Sequence, residues 1–328
     1  MSRLQRAQAA HDINLLRLAP GTINNYKRYH NQFQKFAMGA FGDEAMDRDT
    51  LLLWGVGYRV LTRRLLARAA RSSIVGAAAW SAMSGGPTIS VPDMAWIQRV
   101  RKAFEKFDEE PVRKAFPLTQ HVLIQIGKVL DMTSNRNMQT WAMMTMARSL
   151  ALRASELNLI TFGRLERIGS GPGSMLVFRI PGAATKTGGA YDIPLKAYAS
   201  GSATDPVAAF EEYCIQVLGA SAEYLMEHAP GLPVFPRLHG KTGRPQMKTW
   251  ATKTITEQWR RVAEAAGVVQ AKRITAHSGR SGLCVDAARH GIPWPDIAAA
   301  LRHKSMLVTM QYYTRESSGS VSLWKPVI

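Results

Sequence analysis

A break in the hydrophobic pattern between Asp108 and Thr119 divides the chain into two parts. The break holds an acidic run, two prolines and a basic pair, and it separates segments whose apolar residues recur with helical spacing. Such a stretch is typical of a linker, and 328 residues are enough for two domains. The sequence therefore predicts an N-terminal domain of residues 1–112 and a C-terminal domain of residues 113–328.

Both parts have a pattern from which secondary structure can be predicted. In the first part, helices are expected from Thr22, as an N-cap, and at about residues 49–70, 72–83 and 93–107. In the second part, Met175–Ile180 is a predicted strand, and residues 185–190 and 191–195 are predicted to form a hairpin with glycines at its tip. The remaining predicted helices lie at about residues 119–130, 138–152, 206–218, 249–266, 277–290, 295–301 and 305–313. The expected fold is mainly α with a small antiparallel β-sheet, an α+β fold.

The chain is strongly basic, with 42 Lys and Arg residues against 24 Asp and Glu and a formal net charge of +18. This excess favours a nucleic acid as partner, because each phosphate that is neutralised releases condensed counterions. A role in solubility alone is the alternative. The basic residues are densest between Arg237 and Arg280, where aromatic and aliphatic residues interrupt them as on a folded surface. The predicted contacts to the nucleic acid are Lys241, Arg244, Lys248, Lys272, Arg273 and Arg302.

Composition disfavours several classes of protein. Hydrophobic residues make up 46% of the chain, which is enough for folded cores. No apolar run approaches the roughly 20 residues that span a bilayer, and no secretory signal is visible, so no membrane partner is expected. Two cysteines make no disulfide framework, which predicts an intracellular location in cytoplasm or nucleoid, or in a eukaryotic nucleus. Zinc-site and phosphate-loop motifs are missing, so neither a metal nor a cofactor is expected.

A series of polar residues in distinctive local sequences remains. In chain order they are Arg153, Lys186, His277, Arg280, His303 and Tyr312. Each has an ordinary explanation when it is taken alone; an Arg153–Glu156 pair, for example, is usually a surface ion pair. Their order and spacing carry the information, since His277 and Arg280 share one face of a helix start and Tyr312 follows His303 by nine positions.

This order resembles the pattern of the tyrosine recombinase/integrase family. The segment Leu152–Leu157 is similar to the first box of that family and Thr275–Thr314 to the second. The resemblance extends over about Leu118–Arg315, and more weakly over the N-terminal helices, which are similar to the helical, SAM-like core-DNA-binding domain. It implies a two-domain clamp around double-stranded DNA, with a mixed α/β catalytic domain, and a homo-tetramer on paired sites.

The resemblance also implies a reaction. Tyr312 attacks a DNA phosphodiester and forms a 3′-phosphotyrosyl bond with release of a 5′-hydroxyl, without metal or ATP. Two cations, Arg153 and Arg280, stabilise the transition-state oxygens, and Glu156 orients the guanidinium of Arg153.

Proton transfer and phosphate binding fall to three other residues in this scheme. Lys186 protonates the leaving 5′-oxygen, His277 accepts the tyrosine proton, and His303 forms a hydrogen bond to the phosphate.

Two positions need a choice. The family usually has glycine before the second histidine, whereas this chain has Arg302, which indicates either a looser turn or an added phosphate contact. Tyr312 is preferred to Tyr313 as nucleophile because Tyr313 continues the apolar stripe of Met306 and Met310, whereas Tyr312 lies about 100° away around the helix.

Other functions stay open at this point. A type IB topoisomerase or a telomere resolvase has the same catalytic set and differs in its product. A DNA-binding protein that kept the fold without the chemistry is the alternative from a different class. An RNA-binding protein is disfavoured because the aromatic-bearing strand motif of a common RNA module is missing. The segment Leu323–Ile328 is a candidate docking tail between subunits or a strand that closes the fold.

Overall fold

The chain forms two units, Met1–Val112 and Arg113–Ile328, in the computed structural model. The structure describes residues 20–42, 50–51, 54, 67–84, 95, 99, 115–169, 175–182, 190–198, 202–240, 242–303, 305–307 and 309–310. That the first unit is a DNA-binding domain and the second a catalytic domain stays a prediction. None of the described helices combines the length and apolar character that crossing a bilayer requires.

In the first unit the described helices are α1 (Pro20–Phe41) and α2 (Ala67–Met83). Helix α1 begins at Pro20, whose fixed φ suits the first helical position, so the prediction that Thr22 caps the helix is wrong. The two helices approach closely at Gly76, where an added Cβ would lie only 2.7 Å from Cδ2 of Tyr29. The buried core consists of Phe33, Ala37, Leu51, Trp54, Ile74, Ala77 and Ala78. Nearly all of the predicted helix at 93–107 lies outside the described residues.

The second unit is mainly helical. Its helices are α3 (Gln120–Gly127), α4 (Asn135–Ser149), α5 (Ala154–Leu159), α6 (Pro206–Tyr213), α7 (Ala222–His228), α8 (Thr252–Ala265), α9 (Ser278–Arg289) and α10 (Trp294–Ala300). Helix α6 continues as a π-helical turn at Cys214–Leu218. The sequence did not predict α7. Helix α4 runs through the core and is buried from Met138 to Arg148, so it carries no polar face from which its bounds could be read.

A three-stranded antiparallel sheet lies between α5 and α6, in the order β1 (Leu165–Ile168), β2 (Met175–Ile180) and β3 (Tyr191–Lys196). A second, two-stranded sheet joins β4 (Pro236–Leu238) to β5 (Pro245–Thr249). The prediction of a mainly α fold with a small antiparallel sheet is confirmed.

Strand β3 pairs with β2, with Ile180 opposite Tyr191 and Phe178 opposite Ile193. The sequence predicted residues 185–190 as the partner of residues 191–195, and nearly all of the former lie outside the described residues. Burial favours the pairing of β3 with β2, because β2 places Leu176, Phe178 and Ile180 in the core. Residues 183–189, which join the two strands, lie outside the described part.

Helix α9 packs directly against the end of α4 and the residues before α3. A Cβ on Gly279 would lie 2.9 Å from the carbonyl carbon of Ala147, and one on Gly282 would lie 1.9 Å from the carbonyl oxygen of Leu118. Only glycine leaves room for this approach. It brings the first turn of α9 beside the segment that links α4 to α5.

Candidate active site

Four of the six predicted catalytic residues lie in the described part of the chain, and they come from three separate segments. Arg153 is the N-cap residue of α5. His277 is the N-cap residue of α9, and Arg280 lies in the first turn of that helix. His303 follows the C-terminal end of α10. Lys186 and Tyr312 lie outside the described residues, as do Lys241 and Tyr313.

The turn between α4 and α5 has an unusual backbone conformation. Ala151 has a φ of 48°, in the left-handed region that costs a residue with a side chain about 1–2 kcal/mol. Its carbonyl oxygen accepts hydrogen bonds of 2.8 Å from Nη1 of Arg280 and 2.8 Å from Nη2 of Arg302. Two guanidinium groups from distant parts of the sequence therefore meet at one main-chain oxygen, two residues before Arg153.

The carboxylate of Glu156 is the acidic centre of this cluster. Its side chain is fully buried, and Oε2 accepts a 2.8 Å hydrogen bond from the backbone N–H of Arg153. Oε1 is paired with the Arg153 guanidinium and accepts a 2.6 Å bond from the hydroxyl of Tyr191. Nη2 of Arg302 lies 3.2 Å from Oε2. The expectation that Glu156 orients Arg153 therefore has a direct geometric basis.

These contacts set the protonation state of Glu156. Burial acts to raise the pKa of the carboxyl group. The hydrogen bonds from the Arg153 backbone and the Tyr191 hydroxyl, together with the charges of Arg302 and Arg153, outweigh burial and hold the pKa below its ordinary value. The carboxylate is charged at neutral pH, as its pairing with two guanidinium groups requires.

His303 is held in its neutral form. Burial, followed by the positive charges of Arg280, Arg153, His277 and Arg302, lowers the pKa of His303 from 6.5 to about 4. Arg302, the residue before His303, is bonded to the Ala151 carbonyl and to Glu156, so His303 follows directly on this cluster. Nδ1 of His303 is 2.8 Å from Oγ1 of Thr309, so one ring nitrogen is bonded within the protein.

The arrangement suits the binding of a singly charged phosphodiester and of the more highly charged state that forms when it reacts. Arg153 keeps 20% of its side chain exposed while Glu156 fixes its guanidinium, so it has donors to offer to a ligand. Arg280 is nearly fully buried and held by the Ala151 carbonyl. Preorganised cations of this kind stabilise developing charge without having to move during the reaction.

The other predicted contacts to nucleic acid lie on two exposed segments. Arg244 and Lys248 are exposed at and beside β5, and Lys272 is exposed in the short turn before α9. Arg273 is half-buried and contacts Gln270. In the part of the chain that the structure describes, no group of three or more His, Cys, Asp or Glu side chains is arranged to hold a metal ion.

Two polar residues of the site were not predicted from the sequence. Tyr191 reaches Glu156 only because the β2–β3 register places it there, and no local motif marks it. Thr309 lies six residues after His303, and a hydroxyl residue at this spacing is too common to single out.

Comparison with known proteins identifies the family. The sequence profile of the phage integrase family matches residues 118–319, which is more than half of the chain. No curated protein sequence matches the chain significantly.

Several solved structures share the fold. A lambda integrase tetramer bound to a Holliday junction has a TM-score of 0.60 at 15% identity, with 99% of this chain and 80% of that chain covered. A lambda integrase dimer bound to a COC′ core site has a TM-score of 0.59 at 17% identity, covering 100% and 99%. XerH site-specific recombinase bound to a palindromic difH substrate has a TM-score of 0.56 at 13% identity, covering 92% and 80%.

The profile match and the order of the cations agree, and the resemblance to the tyrosine recombinases is confirmed. The chain belongs to the phage integrase family of tyrosine recombinases and is a DNA breaking-and-rejoining enzyme.

Proposed function

We propose that the chain is a site-specific DNA recombinase that cuts and rejoins strands through a 3′-phosphotyrosyl intermediate. The observation that carries the proposal is the convergence of three segments on one site. Arg280 and Arg302, the residue before His303, meet at the Ala151 carbonyl, and Glu156 pairs with both Arg302 and Arg153. Such a cluster of fixed cations suits the transfer of a phosphodiester.

In the proposed first step, the hydroxyl oxygen of Tyr312 attacks phosphorus and the bond to the 5′-oxygen breaks. The tyrosine proton passes to His277, and Lys186 supplies a proton to the leaving 5′-oxygen. A 5′-hydroxyl from another strand then reverses the step, so the phosphodiester bond energy is kept in the protein–DNA link.

The described residues support particular roles in this reaction. Arg153 and Arg280 neutralise charge on the non-bridging oxygens. His303 is uncharged at neutral pH, and it forms a hydrogen bond to the phosphate in this scheme. The proposed substrate is double-stranded DNA, in keeping with the net charge of +18 and with the DNA-bound relatives. We further propose that two sites are held together by a homo-tetramer.

Covalent capture on a nicked duplex tests this function. A pool of duplexes with a randomised central sequence is enriched for binding, and a nick is placed near each possible scissile phosphate. After cleavage, the short fragment with the 5′-hydroxyl diffuses away and the complex cannot reverse. We expect protein–DNA complexes that survive boiling in detergent and disappear after proteolysis.

Matched variants make the result specific. Arg153→Ala should abolish capture, whereas Arg179→Ala, which removes an exposed arginine on β2, should leave it unchanged. Binding of the enriched duplexes without any covalent product would show a DNA-binding protein without the chemistry. Relaxed circles or hairpin ends without strand exchange would show a topoisomerase or a telomere resolvase.

A further inference from the structure

Arg302 occupies a backbone position that favours glycine. It follows the C-cap residue of α10, Leu301, and its φ of 52° lies in the left-handed region. The turn is closed by main-chain bonds from Arg302 N to Ala299 O and from His303 N to Ala298 O, both 2.9 Å. The turn is therefore formed without glycine, and the side chain must contribute something that offsets the backbone strain.

The guanidinium of Arg302 is bonded entirely within the protein at its two terminal nitrogens. Nη1 donates to the carbonyl oxygens of Leu150 at 3.1 Å and Ala300 at 3.3 Å. Nη2 donates to the carbonyl of Ala151 at 2.8 Å and to Glu156 Oε2 at 3.2 Å. Because the two terminal nitrogens carry four hydrogens, these four oxygens use all of them.

The ring of Tyr191 covers the same guanidinium. The central carbon of the Arg302 guanidinium is 4.9 Å from the centroid of the ring, and only 16% of the side chain is exposed. The Tyr191 hydroxyl in turn donates to Glu156. Arg302 is thus stacked on Tyr191, which donates a hydrogen bond to the same Glu156 carboxylate.

We infer that Arg302 is a positioning residue, which holds the two arginines of the proposed phosphate site and does not itself bind DNA. It shares the Ala151 carbonyl with Arg280, and it shares the Glu156 carboxylate with Arg153. This inference rests on the proposed function, since it names a residue that prepares the same site.

Replacing Arg302 with glycine separates positioning from folding. Arg302→Gly removes all four hydrogen bonds of the side chain. Glycine also relieves the backbone strain at this position, so the variant should stay folded. We expect single-turnover cleavage of the enriched nicked duplex to fall by about 10²-fold, as small displacements of catalytic groups do. Affinity for the uncleaved duplex, and its dependence on salt, should equal those of the wild-type protein.

The conservative variant and a double-mutant cycle show how Arg302 acts. Arg302→Lys keeps the charge but not the planar fork, so it should cleave about as slowly as Arg302→Gly. Adding Arg302→Gly to Glu156→Gln should slow cleavage much less than the product of the two single effects, because both changes disrupt one network. Arg179→Ala is the control for the loss of one arginine and should cleave like the wild-type protein.

Each other result would overturn a specific claim. Weaker DNA binding by Arg302→Gly, with a salt slope reduced by about one, would show a direct phosphate contact. Full cleavage activity in Arg302→Gly, or recovery in Arg302→Lys, would also contradict the positioning role. If Arg302→Gly does not fold, the cleavage rate of Arg302→Lys relative to the wild-type protein decides whether Arg302 positions the site. A wild-type protein that binds DNA but forms no covalent complex would overturn the proposed function itself.

Discussion

Thr309 lies within hydrogen-bonding distance of His303, with 2.8 Å between Oγ1 and Nδ1. Thr309 is fully buried, and its carbonyl oxygen is 3.8 Å from Sγ of Cys284 on α9. It lies three residues before Tyr312 in the sequence. The contact thus joins the neutral histidine of the proposed phosphate site to the segment that leads to the proposed nucleophile, and it fixes which ring nitrogen faces away from that segment.

Thr309→Val tests this link. Valine has the same shape but no hydroxyl, so Nδ1 of His303 loses this hydrogen bond with little change in packing. A net hydrogen bond of about 1 kcal/mol corresponds to a fall in cleavage rate of about 5-fold. Single-turnover cleavage of the nicked duplex measures it, and Thr309→Ser should restore the rate. Equal rates for valine and threonine would show that the bond does not matter to the reaction.

The pKa of His303 gives a second test. It is lowered to about 4 by burial and by the surrounding positive charges. A bound phosphodiester would offset those charges, so we expect the pKa to rise when uncleaved DNA binds. NMR titration of ¹³C-labelled histidine, with His303→Asn to assign the signal, measures the pKa with and without DNA. A pKa near 6.5 in the free protein, or one that falls on binding, would contradict the described site.

Glu156 should make stability depend on pH in the acid range. Its pKa is lower in the folded protein than in the unfolded chain, so its stabilising effect is present above the unfolded value of about 4.3 and is lost as pH falls through the folded value. The Glu156 carboxylate is a buried partner of two guanidinium groups, and its removal should lower the free energy of unfolding by about 3 kcal/mol.

Urea unfolding of Glu156→Gln measures this effect. The variant should be less stable than the wild-type protein at pH 7, and the difference should shrink as the pH is lowered below about 4. Glu227→Gln is the control, since that side chain is 79% exposed and should have little effect. A difference that is independent of pH would show that the Glu156 carboxylate is not charged in the folded protein.

The approach of α9 to the residues before α3 predicts a strong glycine requirement. Gly282→Ala would place a methyl group 1.9 Å from the Leu118 carbonyl oxygen, so the helix must move, at a cost of about 3 kcal/mol. Gly231→Ala is the matched control, because no atom lies within 4 Å of its added Cβ. Thermal unfolding of both variants measures the difference, and equal stability would contradict the described packing of α9.

The cations of the site could be predicted from the sequence because each has a distinctive neighbourhood. Arg153 stands at the start of one helix, three positions before the acidic residue Glu156. His277 and Arg280 lie three positions apart at the start of another helix. The structure brings these segments together with His303. The roles of Lys186 and Tyr312 stay predictions, since both lie outside the described residues.

The network behind those cations could not be predicted. The position of Tyr191 depends on the register of β3 against β2, which no local motif in the sequence marks. The bonds of Arg302 cross about 150 positions of sequence, to Leu150, Ala151 and Glu156. A departure from a family pattern marks such a residue but does not show what its side chain contacts.

The identity of the attacking residue tests the account most directly. The covalent complex formed on the nicked duplex is digested with protease, and mass spectrometry locates the residue that carries the nucleotide. We predict that it is Tyr312, that Tyr312→Phe forms no covalent complex while binding DNA normally, and that Tyr313→Phe is captured like the wild-type protein. A nucleotide on Tyr313 or on any other residue, or full capture by Tyr312→Phe, would contradict the account.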